Sequence, residues 1–274
     1  RRGDEVIMEA EAHVFMYEAG APAVLSGVQI RQVKGHMGLL DPSDVESAIR
    51  VPNVHHPRSS LLCIENTHHR AGGTVVPPGR MRELYEVCTR HGLAVHLDGA
   101  RVFNASVALG VDVREITNWT DSVQVCLSKG LCAPVGSVVV GSRAWIDAAR
   151  KNRKMLGGGM RQAGVIAAAG IVAIEKMVER LAEDHENARY LAEALSGVRG
   201  LYIDMQTVQT NMVYVDVSGT GMGASQFQDA CAREGVRFGA TGPASVRLVT
   251  HHDVSRKDVE DAVVVIKKVA EKRT

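Results

Sequence analysis

Two short motifs carry side chains suited to covalent chemistry. Asp98-Gly99-Ala100-Arg101 closes the apolar run 93–97, and Ser128-Lys129-Gly130 closes the apolar run 122–127. A lysine amine becomes a nucleophile toward carbonyls when burial or a neighbouring cation lowers its pKa. Taken alone, each motif also has a plain reading: Asp98 as a cap for the next helix, Lys129 as an exposed loop lysine. Taken together they suit pyridoxal phosphate (PLP). The lysine would hold the aldehyde as a Schiff base, and the aspartate would keep the pyridine nitrogen protonated, which makes the ring an electron sink. An aspartate–pyridinium contact is a charge-assisted hydrogen bond and is strong in a dry pocket.

Those two residues need a scaffold that puts strand ends side by side. Strand-like runs cover 5–8, 28–33, 60–65, 93–97, 122–127 and 135–140. Between them, Asp41-Pro42-Ser43-Asp44 reads as a helix start, with Asp41 as cap and Pro42 at the first helical position. Met81, Leu84, Tyr85 and Cys88 recur at helical spacing over 78–90, and His91-Gly92 ends that helix. Strands alternating with helices predict an α/β fold with a mostly parallel central sheet. Ligands in such sheets bind at the carboxyl ends of strands, where Asp98 and Lys129 both fall. After the Gly157-Gly158-Gly159 interruption, one long helical region is expected over 164–195. The tail, with strands 212–217 and 245–249 and helices 224–233 and 255–272, predicts a small α+β domain. The expected division is a large domain over 1–177 and a small C-terminal domain over 178–274.

Composition removes several function classes. Net charge is +1 from 32 Lys+Arg and 31 Asp+Glu, so no basic excess exists to attract nucleic acid. At 45% hydrophobic residues the chain has the material for a core and does not read as disordered. The longest apolar stretch, 165–174, is well short of the ~20 residues that span a bilayer, so no membrane association is expected. Five cysteines, scattered and odd in number, argue against a disulfide framework and for a reducing, cytoplasmic location. The pairs His55-His56, His68-His69 and His251-His252 lack metal-ligand spacing, and no metal is expected. Gly219-Thr220-Gly221-Met222-Gly223 has the wrong spacing for a dinucleotide fingerprint and reads as a turn. The Arg150–Lys154 cluster reads as a solvated helix face.

The motifs also carry a family resemblance from the first residue to the last. Arg2-Gly3-Asp4-Glu5-Val6, His13-Val14-Phe15, Tyr17-Glu18-Ala19-Gly20, Glu65-Asn66-Thr67-His68, His96-Leu97-Asp98-Gly99-Ala100-Arg101 and Leu127-Ser128-Lys129-Gly130 resemble the low-specificity L-threonine aldolases. So do Lys154-Met155-Leu156-Gly157-Gly158-Gly159-Met160-Arg161-Gln162 and Arg247-Leu248-Val249-Thr250-His251. These are PLP enzymes of the aspartate aminotransferase-like fold (fold type I). The resemblance implies retro-aldol cleavage of L-threonine and L-allo-threonine to glycine and acetaldehyde. It assigns Lys129 to the Schiff base, Asp98 to the pyridine nitrogen, and His13 to the cofactor ring beside the substrate. Arg101 and Arg247 match the pair that grips the substrate carboxylate. His55 aligns with a second catalytic histidine, while Thr67 and Tyr17 belong to matching motifs as cofactor and substrate contacts. A homodimer or homotetramer is implied.

One part of the family pattern has no counterpart here. The family's N-terminal segment, with the Gly-Thr turn that cradles the PLP phosphate, is missing ahead of Arg1. Two alternatives therefore stay beside the aldolase: a catalytically impaired fragment of the family, and another PLP lyase or transaminase on the same fold.

Overall fold

The computed structural model describes residues 1–272 and divides into two compact units, 1–71 with 75–178 and 72–74 with 179–274. The first is built on six strands: β1 (Glu5–Glu9), β2 (Gln29–Val33), β3 (Ser59–Glu65), β4 (Ala94–Asp98), β5 (Ser122–Cys126) and β6 (Ser137–Gly141). Their spatial order is β2-β1-β3-β4-β5-β6, parallel throughout except for β6, which runs antiparallel to β5. The expected α/β architecture is present. Only residues 127–136 link β5 to β6, too few for the crossover a parallel partner needs, so β6 returns as a hairpin.

Local signals explain the elements that carry the site. Asp41 caps the helix Pro42–Ala48 by accepting the Ser43 N–H at 2.9 Å, and Pro42 sits at its first position. The helix Pro78–Arg90 buries Met81, Leu84, Val87 and Cys88, one stripe at helical spacing, into the core with Ile7, Leu62, Val95 and Leu97. Strands β1 and β3 are buried along most of their length, which is why they read as continuous apolar runs rather than alternating ones.

The expected continuous helix over 164–195 is instead two, Gly164–Lys176 and Leu181–Ser196. The break falls where the units divide. Neither Gly nor Pro marks it. The second helix restarts on Arg180, whose guanidinium grips the fully buried Asp184 through two bonds of 2.7 and 3.2 Å. In the second unit a sheet of β7 (Met212–Asp216), β8 (Gly239–Ala240) and β9 (Ser245–Val249), in the order β7-β9-β8, packs against helices Leu181–Ser196, Ala224–Arg233 and Arg256–Glu271. Residues 72–74 join this unit, with Thr210 Oγ1 donating to Gly73 O at 2.8 Å. Among the described residues no helix is long and apolar enough to cross a membrane.

Burial pushes the His185 imidazole down from 6.5 to about 4. Between those values the unfolded chain binds a proton that the folded one does not, so stability falls as pH falls. Wild type is therefore expected to lose about 2 kcal/mol more than His185→Gln between pH 7.5 and pH 5. Urea midpoints at the two pH values read this difference, and a parallel shift of both proteins would show that His185 is not the group responsible.

Candidate active site

The carboxyl ends of neighbouring strands gather most of the residues singled out from the sequence. His13 follows β1, Thr67 follows β3, Asp98 ends β4 with Arg101 three residues on, and Lys129 follows β5. In sheet order these strands are β1-β3-β4-β5, so the four segments emerge side by side along one edge.

Each is held by its backbone. Asp98 is buried (8% exposed), pairs in register with Glu65 and with Gln124, and accepts the Ala100 N–H at 3.2 Å. It does not cap the next helix: Val102–Leu109 starts on Arg101 without a side-chain cap. The turn carrying Lys129 is fixed by three bonds, Leu127 N–H to Gly136 O (3.0 Å), Ala133 N–H to Leu127 O (2.9 Å) and Cys132 N–H to Lys129 O (2.9 Å). Lys129 is half-buried there, between an exposed Ser128 and a buried Gly130. Gly99 is required where it stands, because a methyl group on it would lie 2.8 Å from Gln124 O.

His13 opens a short helix, His13–Met16, and its ring lies in a cluster of three. Its centroid is 5.2 Å from that of Tyr17 and 5.6 Å from that of His69, and Tyr17 and His69 are 5.7 Å apart. His13 Nε2 meets Glu18 Oε1 at 3.0 Å, and Tyr17 Oη accepts a bond from Arg70 at 3.4 Å. Two candidates do not follow these strands. His55 is exposed in the loop leading into the amino end of β3, its N–H on Asn53 Oδ1. Arg247 is half-buried on β9 of the second unit, opposite Tyr214, between buried Val246 and Leu248.

At the carboxyl ends of β1 and β3 lies a buried ionisable network that the sequence motifs do not reveal. His68 Nε2 meets Glu9 Oε2 at 3.0 Å and lies 3.7 Å from Glu65 Oε2, with all three side chains buried. Glu9 also accepts the N–H groups of Glu11 (2.5 Å) and Gly35 (3.1 Å). Burial opposes charge on all three. For Glu9, the His68 bond and the two amides outweigh burial and hold the carboxyl below its usual value. For His68, the Glu9 bond and the charge of Glu65 likewise outweigh burial and raise the imidazole above 6.5, although the Ala71 N–H meets Nδ1 at 3.3 Å. For Glu65, burial wins and the carboxyl is raised. The available signal was in the strand itself: Glu5-Val6-Ile7-Met8-Glu9 is buried throughout, so a charge at each end requires a partner. Glu5 finds Arg50 at 3.1 Å and Glu9 finds His68.

The edge fits PLP by an observation of its own. Thr67 Oγ1 is enclosed, in a residue 3% exposed, and has no hydrogen-bond partner within the protein. Buried polar atoms are rarely left so, and a polar ligand bound at this edge would account for this one. The fold agrees. The threonine aldolase of Leishmania major superposes with a TM-score of 0.82 at 21% identity, covering 98% of this chain and 78% of that one. Together these define a fold type I scaffold, the fold of PLP-dependent enzymes. A family model described as "Beta-eliminating lyase" matches residues 1–218. The relative named "Probable low-specificity L-threonine aldolase 2" from Arabidopsis thaliana is 43% identical over 272 residues, 98% of this chain and 77% of the relative. The low specificity L-threonine aldolase of Escherichia coli K12 is 42% identical over 261 residues, 95% and 75% of the two chains. The chain belongs to the beta-eliminating lyase family and, within it, to the low-specificity L-threonine aldolases.

Proposed function

We propose that the protein is a PLP-dependent aldolase that cleaves L-threonine and L-allo-threonine to glycine and acetaldehyde. The observation that carries the reading is the shared edge on which His13, Thr67, Asp98, Arg101 and Lys129 follow adjacent strands. Lys129 Nζ is the atom that would hold the cofactor covalently. The buried Asp98 carboxylate would meet the pyridine nitrogen, His13 the ring face and Thr67 Oγ1 a polar atom of the cofactor. When bound, PLP supplies the sink for the electron pair released at the substrate Cα.

The remaining steps belong to the side chains. A guanidinium fork binds a carboxylate through two parallel hydrogen bonds, and Arg101 is assigned that role on the first unit. Arg247, in the motif it shares with the family, is assigned as the second guanidinium. Gripping the carboxylate fixes which bond at Cα lies in the breaking orientation; in an aldolase that is Cα–Cβ. Histidine suits proton transfer near neutral pH, and His13 is assigned to receive the β-hydroxyl proton, on the ring nitrogen that Glu18 does not engage, as that oxygen becomes the aldehyde oxygen. Cα then takes up a proton to leave glycine. Tyr17 and His55 are assigned to the substrate side; His55 rests on the family likeness alone. The large and small domains of the family would correspond to 1–177 and 178–274. Assembly as a homodimer or homotetramer is supported by the apolar side chains left exposed on β6, Val138, Val139 and Val140.

The test is to load the protein with PLP, add L-threonine and assay acetaldehyde. Acetaldehyde formed in step with glycine supports the aldolase. A bound cofactor with exchange of the Cα proton and no aldehyde would overturn it in favour of another PLP reaction. Arg247→Ala is expected to raise KM for threonine about 10- to 100-fold with a smaller change in kcat, since a charged hydrogen-bond pair is lost from substrate binding. An unchanged KM would remove Arg247 from the carboxylate role.

A further inference from the structure

Glu65 joins two segments that are remote in sequence. Its Oε2 accepts the backbone N–H of His13 at 2.7 Å, and its Oε1 accepts that of His69 at 2.8 Å. One carboxylate therefore ties the segment after β1 to the segment after β3, and the two imidazoles so anchored stand 5.6 Å apart, edge to face, with Tyr17 against both. Glu65 is also the last residue of β3 and the register partner of Asp98, so the clamp is built on the strand beside the proposed pyridine-nitrogen contact.

We infer that Glu65 is a positioning residue of the active site: its two carboxylate oxygens fix the backbones of His13 and His69 and so hold the His13 ring where the cofactor face is met. The inference rests on the reading of His13 as that ring contact. Three features favour positioning over general support of the fold. The short helix His13–Met16 has no buried residue and no side-chain cap, so nothing else internal to it sets its place. Both acceptor atoms are used on backbone donors, which fixes direction as well as distance. The carboxylate is buried, and a buried carboxylate is retained at a cost that well-directed donors offset.

The test begins on the cofactor-free protein with histidine labelled by 15N, which reports on eleven backbone amides. Glu65→Gln keeps one acceptor oxygen and presents an NH2 to the other donor. Both the His13 and His69 amides are expected to move upfield, and at least one to exchange about 10- to 100-fold faster, the loss expected for one charged hydrogen bond. Glu18→Gln, which touches only the His13 ring, should leave the His69 amide in place. In the same variant the Kd for added PLP is expected to rise about tenfold and kcat/KM to fall, with acetaldehyde still formed. If both amides stay unchanged in folded Glu65→Gln, the clamp does not exist. If they move while PLP affinity and kcat/KM hold, the clamp is structural only and the positioning role fails. His13→Ala separates the two readings: if it too leaves PLP affinity unchanged, the assignment of His13 fails, and if it weakens PLP, only the role of Glu65 fails. Should Glu65→Gln not fold, Glu65→Asp keeps the charge but is too short for both donors, and the same two amides are read.

Discussion

Lys129→Ala is expected to remove the visible absorbance of the PLP-loaded protein and to lower the rate of threonine cleavage on the order of 10³-fold or more. The size follows from what the amine does. In the proposed site Nζ is the atom bonded to the cofactor, and no neighbouring side chain can replace a covalent attachment. The substitution is also clean. The Lys129 turn is fixed by backbone bonds from Leu127, Cys132 and Ala133, none of which involves the Lys129 side chain. The stem is half-buried, so its removal is expected to cost no more than ~1 kcal/mol of stability. Loss of activity with an unchanged melting temperature thus separates chemistry from unfolding. Retention of the band and of a tenth or more of the turnover would move the cofactor attachment away from Lys129 and undo the site as drawn.

The sequence made the positions of Asp98 and Lys129 legible because their signals are local. An apolar run that stops at a polar residue followed by Gly marks a strand end whichever strands flank it, and the run before Lys129 stops in the same way. The helix Pro78–Arg90 was bounded correctly for a similar reason: proline starts it, and a periodic stripe ends at His91-Gly92. Direction and contact are not local. The valines of β6 look the same whether the strand runs up or down; only the short 127–136 link holds that information. The break after Lys176 is invisible because residues 177–180 hold neither Gly nor Pro, so nothing local to the sequence marks where the first helix ends and the second begins. The Glu9–His68–Glu65 network joins residues up to 59 positions apart. In the sequence His68 belongs to a His-His pair and to the Glu65-Asn66-Thr67-His68 motif, and Glu65 to that motif alone. Nothing in either neighbourhood says that the fold buries them together.

That network sets the second large effect. His68→Leu is expected to destabilise the protein by roughly 3–5 kcal/mol, the cost of leaving a buried charge without its partner. The ring is buried and bonded to Glu9, and Glu65 stands behind it at 3.7 Å. The pH dependence identifies the cause. The depressed Glu9 carboxyl contributes stability above its unfolded value of 4.5, lost as pH falls through the folded value. The raised His68 imidazole contributes stability below 6.5, lost as pH rises through its folded value. The difference between wild type and variant should therefore be largest between pH 4.5 and 6.5 and shrink on either side. Gly38 gives an independent handle on the same ring. Its φ is +77°, and a methyl group there would lie 2.3 Å from His68 Cγ and 2.6 Å from Cβ. Gly38→Ala must push the ring off Glu9 as well as strain its own backbone. In a His68→Gly background both the Cγ and the Cβ contacts are gone, and most of the penalty should reduce to the backbone strain, about 1–2 kcal/mol. Urea midpoints of the two single variants and the double variant measure that coupling. Strict additivity would mean that Gly38 does not bear on His68, and that the ring is held by something other than the close approach of that turn.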